Sequence, residues 1–139
     1  VNKAATLAGL PSRESVTASL KIHGHMEQVD RTDPLYWYGS DRKQIDRLIQ
    51  EDPDMGKVLS DKLQMVEAQV AWAVRMEMAR SVEDFLARRT RAIQLDAREC
   101  IQLAPRVAEI MASELGYGGD WIKREGEAPN GLGLKHIFE

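Results

Sequence analysis

Apolar residues recur at helical spacing along much of this chain, and the places where a charge breaks the stripe are the most telling. Val66, Val70, Ala73 and Val74 form one stripe whose next position is Glu77. Val82, Phe85, Leu86 and Ile93 form another, with Arg89 between Leu86 and Ile93. A carboxylate and a guanidinium on apolar faces are costly unless they meet each other or a buried partner. The pattern therefore predicts a buried Glu77–Arg89 link tying two neighbouring helices.

The same periodicity places the other elements. A helix is expected over 64–79; Ser81 and Asp84 stand at capping-box spacing, so either a break or bend falls near Arg80 or one helix runs unbroken to Arg91. Over 97–115, Cys100, Ile101, Ala104, Val107, Ala108, Met111 and Leu115 share a face, and Gly116 closes the element. Pro105 interrupts that run, so two helices meeting at Ala104-Pro105 are expected. Nearer the start, Gly9 terminates a helix and residues 16–23 alternate as a short extended segment. A turn-rich stretch over 24–39 carries Tyr36, Trp37 and Tyr38. Ser40 or Asp41 then caps a helix with the core face Ile45, Leu48 and Ile49, which Asp52-Pro53 ends. The tail over 118–139 is glycine-rich and reads as irregular, with Leu132, Leu134, Ile137 and Phe138 as anchors. The fold class is all-α: a small bundle of about five helices with irregular N- and C-terminal segments.

Composition narrows the chemistry. A net charge of −3 argues against a general nucleic-acid or anionic-membrane binder. A single cysteine, Cys100, rules out an internal disulfide and suits a reducing compartment. No apolar run approaches a bilayer span. His23-x-His25 and the distant His136 lack the carboxylate or cysteine partners that would complete a metal site, and none is expected. Cys100 on an apolar helix face reads as a small hydrophobe, not a nucleophile. Gly116-x-Gly118-Gly119 and Gly131-x-Gly133 lack the third glycine and the preceding strand of a dinucleotide fingerprint.

The arginines remain. Arg88, Arg89 and Arg91, with Arg75, Arg80 and Arg98 nearby, are interleaved with Glu77, Glu83, Asp84, Asp96 and Glu99. Arg80 with Asp84, and Asp84 with Arg88, stand at i,i+4 and form a ladder worth a few tenths of a kcal/mol per exposed pair. Arg88 or Arg91 is expected to reach Asp96 or a neighbouring domain. Three readings stand: an internal network, a docking surface, or an anion site. The candidate residues are Glu77, Arg80, Asp84, Arg88, Arg89, Arg91 and Asp96, in a structural or docking role, with no catalytic, cofactor-binding or metal residue.

RMEMARSVEDFLARRTRAIQLDA followed by APRVAEIMASELG, with VNKAATLAGL, VTASLKIHGH and DPLYWYGSDRKQIDRLIQEDPDMG ahead of them in order, resembles the C-terminal helical domain of FAD-dependent glycerol-3-phosphate dehydrogenases and their oxidase relatives. The likeness covers residues 1–117. It implies a parent enzyme that oxidises sn-glycerol 3-phosphate to dihydroxyacetone phosphate, passing electrons through FAD to a membrane quinone, or to oxygen in the oxidase branch. Flavin and substrate would be held upstream, so no cofactor is expected in this fragment and it is expected to be inactive alone. A start at Val1 fits a piece of a longer chain. On this reading residues 1–10 end a helix of the missing flavin domain, 11–39 link, 40–117 form the helical domain and 118–139 trail. The partners implied are that N-terminal flavin domain and a second copy in a homo-oligomer, with no nucleic acid and no metal. The expected location is cytoplasmic, the parent being peripheral at the cytoplasmic membrane. The rival readings are a free-standing helical interaction module and an anion-binding regulatory domain.

Overall fold

The computed structural model describes the backbone of residues 2–11 and 13–136, and side chains as far as Glu127. It is mostly helical. The main elements are α1 (Asn2–Leu7), α2 (Arg42–Glu51), α3 (Ala68–Met76), α4 (Ala92–Leu95), α5 (Ala97–Leu115) and α6 (Gly119–His136). One short antiparallel hairpin joins them, β1 (Val58–Ser60) with β2 (Met65–Val66), pairing Val58 with Val66 and Ser60 with Met65. A π-helical segment, Asp84–Arg89, lies between α3 and α4.

The core is built where α3, α5 and the π segment meet. Val70, Val82, Phe85, Cys100, Val107 and Met111 are fully buried there. A smaller cluster gathers Leu35, Tyr38, Ile45, Ala68 and Trp72, with Leu48 and Ile49 half-buried against it. The expected core face of α2 is therefore the observed one. Asp52-Pro53 ends that helix, and Asp52 Oδ1 then accepts from the Asp54 N–H at 3.0 Å. Asp41 precedes α2 without capping it; its carboxylate instead accepts from His23 Nε2 at 2.7 Å.

Several expectations are corrected. α5 runs unbroken through Pro105. The helix keeps one buried face on both sides of the proline, from Cys100, Leu103 and Ala104 to Val107, Ala108, Ile110 and Met111. That packing outweighs the roughly 3 kcal/mol a proline costs inside a helix. The tail is not irregular, since α6 begins at Gly119 and packs along α5. Trp121 and Ile122 lean on the main core, Glu125 Oε2 accepts from the Val82 N–H at 3.2 Å, and Gly126 lies so close to Pro105 that a Cβ would sit 3.2 Å from its Cα. Glycine there allows the helices to approach, which its low helix propensity hides in the sequence. The anchors expected at Leu132, Leu134, Ile137 and Phe138 lie outside the described side chains. Residues 16–23 form turns and not a strand, and the hairpin lies at 58–66 instead. Gly9 and Gly116 both take left-handed φ (66° and 72°) at helix ends, as their positions predict.

Candidate functional site

The signature stretch 75–97 holds the end of α3, irregular turns at 77–81, the π segment and α4. α3 ends at Met76; Glu77 follows as its C-cap and Met78 takes φ +60°. The Ala79 N–H returns to the Ala73 carbonyl at 3.0 Å, and the Arg80 guanidinium donates to the Val74 and Ala79 carbonyls at 3.0 and 3.1 Å. Arg80 thus satisfies, at Val74, an acceptor that the end of α3 leaves orphaned. Ser81 and Asp84 cap reciprocally: Asp84 Oδ2 accepts from the Arg80 and Ser81 N–H groups at 3.0 Å each, and Ser81 Oγ accepts from the Asp84 N–H at 3.1 Å. Burial pushes the Asp84 carboxyl up, but these bonds and Arg88 outweigh it and hold its pKa below the usual value. The π segment closes where the Phe85 carbonyl accepts from the Thr90 N–H at 3.0 Å and its hydroxyl at 2.8 Å. Arg91 follows with φ +55°.

Part of the anticipated network forms. Arg88 binds Asp84 at 2.6 Å and Glu83 at 2.5 Å, on an exposed face. The Arg80–Asp84 rung is made through the Arg80 backbone, not its side chain. Asp96 meets neither Arg88 nor Arg91. It caps α5, accepting from the Glu99 N–H at 3.0 Å, and pairs with Lys62.

The buried Glu77–Arg89 link is not formed. Arg89 is exposed, Glu77 is half-buried, and among the described residues no ion pair within 4 Å joins them. The cause is local geometry: α3 stops before Glu77, and the wider i→i+5 turn of the π segment rotates Arg89 off the face that Phe85 and Leu86 occupy. The two still sense each other. Burial raises the pKa of the Glu77 carboxyl, Arg89 and the Trp72 indole oppose it, and Asp41 adds to it. Trp72 Nε1 has no partner in hydrogen-bonding geometry, although it lies close enough to Glu77 to favour the charged carboxylate.

The sequestered charge lies elsewhere. Glu67, its side chain 8% exposed, accepts both Arg106 Nε and Nη2, at 2.9 and 2.8 Å, between α5 and the start of α3. Arg75 grips Glu114 in the same forked way, at 2.6 and 2.7 Å. Both pairs span 39 residues, and no periodicity in the sequence announces them.

Against this body lies a strap, residues 2–11 and 13–34, that is almost wholly exposed. Leu7, Leu10, Val16, Leu20, Ile22, Met26 and Val29 are all exposed. It is attached at His23–Asp41 and where the Ser40 N–H donates to the Gly24 carbonyl at 3.2 Å. Between strap and body is a hollow of about 260 Å³ lined by Met26, Val29, Asp33, Tyr36, Arg42 and Lys43. Its guanidinium is already held by Asp33 at 2.8 Å and by Asp46.

Reactive chemistry finds little to work with. Burial pushes the Cys100 thiol up to about 12, with Asp96 and Glu99 adding to it. Among the described residues no three histidine, cysteine or acidic side chains converge as a metal site would require. The glycines near 116–119 join helix to helix, so no strand leads into a pyrophosphate-binding turn, and these residues do not fit an FAD cradle. No helix among the described residues is long and apolar enough to cross a membrane.

Comparison with known proteins decides the lineage. The family model for the C-terminal domain of alpha-glycerophosphate oxidase matches residues 8–121. The chain belongs to this family. It is 39% identical over 104 residues to a mitochondrial glycerol-3-phosphate dehydrogenase of Arabidopsis thaliana, covering 75% of this chain and 16% of that one. It is 40% identical over 50 residues to the mitochondrial glycerol-3-phosphate dehydrogenase of Schizosaccharomyces pombe, covering 36% of this chain and 8% of the relative. The chain thus spans less than a fifth of these relatives' length. No solved structure gives a significant match. Within the glycerophosphate oxidase C-terminal family, the matched region takes in most of the strap, the turns and π segment between α3 and α4, and all of α5.

Proposed function

We propose that this chain is the non-catalytic C-terminal domain of an FAD-dependent glycerol-3-phosphate dehydrogenase, where it caps and braces the flavin-bearing portion. The parent would oxidise sn-glycerol 3-phosphate to dihydroxyacetone phosphate, with electrons passing to FAD and then to a quinone. FAD supplies the hydride acceptor in such chemistry and would be held by the rest of the parent. The observation that carries the reading is the strap. Seven large apolar side chains stand exposed within residues 7–29, more than scattered surface exposure explains, and family membership supplies a larger polypeptide to cover them. Membrane contact would come through the parent. Its cytoplasmic placement belongs to this proposal, although both relatives are named as mitochondrial.

The test uses the full-length dehydrogenase carrying this domain, with Leu20→Asp and Ile22→Asp together. Initial kcat is expected to be unchanged, while FAD is lost and activity decays several degrees below wild type, consistent with roughly 1.5–3 kcal/mol for each buried aliphatic side chain. Wild-type heat resistance in that variant would overturn the bracing role.

A further inference from the structure

Strain and unpaired charge coincide in one short stretch. Met78 and Arg91 are non-glycine residues held at left-handed φ, and six residues of π helix stand between them. Such backbone is uncommon and tends to mark places where a fold serves something beyond its own packing. The side chains it presents have little to do within the domain. Met76 is 60% exposed and Met78 75%. Arg89 and Arg91 are exposed and enter no ion pair among the described residues; Arg31, Arg47 and Arg98 share that state, but only Arg89 and Arg91 stand beside exposed methionines on strained backbone. Glu77, between Met76 and Met78 in sequence, is near enough to Arg89 for the two charges to interact and near enough to Asp41 to feel its repulsion.

We infer that residues 76–91 form a second docking surface, on which Met76 and Met78 enter an apolar recess and Arg89 and Arg91 meet carboxylates on the flavin-bearing portion of the same dehydrogenase. This rests on the bracing role proposed above. The occupant follows from charge and length. Two exposed guanidinium groups beside two exposed methionines call for a surface that is acidic around an apolar recess, and the relatives carry more than five times this chain's matched length in one polypeptide. Methionine suits the contact because its unbranched thioether adapts to an irregular recess.

Peroxide footprinting of the native full-length enzyme, read by peptide mass spectrometry, tests it. Met65 and Met111 are buried within the domain and report its folding. Met76 and Met78 are expected to oxidise about tenfold more slowly than in urea-unfolded enzyme. The double variant Arg89→Glu, Arg91→Glu should expose both while Met65 and Met111 stay protected, and Arg47→Glu on α2 should change nothing. Oxidation of Met76 and Met78 in native wild-type enzyme at the unfolded rate would overturn the inference. If Met26 on the strap is protected in that same experiment, the bracing role survives and uses the strap alone. Were Met26 equally reactive, both readings would fall together.

Discussion

The two buried clusters of this domain are built on different terms. The larger, around Phe85, Leu86, Val107 and Met111, gains its stability from non-directional apolar burial shared among α3, α5 and the π segment. The smaller is threaded with polar groups. Gln69, fully buried, accepts from the Val66 N–H at 2.8 Å and donates to the Tyr38 hydroxyl at 3.2 Å. Burial pushes that phenol up to about 12, only partly opposed by Gln69, and the indole N–H of Trp72 beside it goes unpartnered. Directional contacts fix orientation more than they add net stability. The first cluster holds the domain together, and the second sets the angle at which the base of the strap leaves it.

Truncation separates them most sharply. Phe85→Ala should cost about 3–5 kcal/mol and lower the whole unfolding transition by circular dichroism. Ile45→Ala should cost about 2–4 kcal/mol. Its effect should appear first in Trp72 fluorescence, and coincident transitions would mean that the clusters melt as one. Arg106→Met, which strands the buried Glu67 carboxylate at the edge of the smaller cluster, should cost about 1.5–3 kcal/mol in urea titration, discounted because Arg106 is half-exposed. A wild-type midpoint would show that Glu67 is solvated. The smallest effect is expected at Glu77. Its folded pKa is raised above 4.5, so the folded chain binds its proton more tightly than the unfolded chain does. Stability from this group is therefore lost as pH rises from about 4.5 through the folded value. Glu77→Gln should stabilise slightly at pH 7, by a few tenths of a kcal/mol at this exposure, and the gain should vanish below pH 4. A gain that grows in acid would reverse the assignment.

Much of this was legible in the chain itself, wherever one local rule acted alone. The face Ile45, Leu48, Ile49, the box of Ser81 and Asp84, and the glycine stops at 9 and 116 each depend on neighbours within five residues. The failures are cases where distant packing outvoted the local rule. Pro105 stays helical because residues on both sides are buried, and Gly126 is tolerated because α6 needs a close approach there. The hairpin went unread because its strands hold three and two residues, too few for alternation to show, and its turn relies on Gln64 at φ +52°. Arg89 was misplaced because a 3.6-residue count does not survive a π turn. A sequestered ion pair does join distant elements here, without Glu77 or Arg89. Glu67 and Arg106 carry it instead.

Gly39 fixes where strap and body cross. Its φ of 55° and ψ of −128° bring it so near the Gly24 carbonyl that a Cβ would stand 1.8 Å from that oxygen. Even alanine would have to displace a neighbouring main chain, since no flexible side chain is there to yield. The crossing of strap and body is therefore a joint whose clearance is a single hydrogen atom. Sequence drift can repaint the strap's outer surface while leaving the joint untouched, so the arm can follow a changing neighbour without losing its seat.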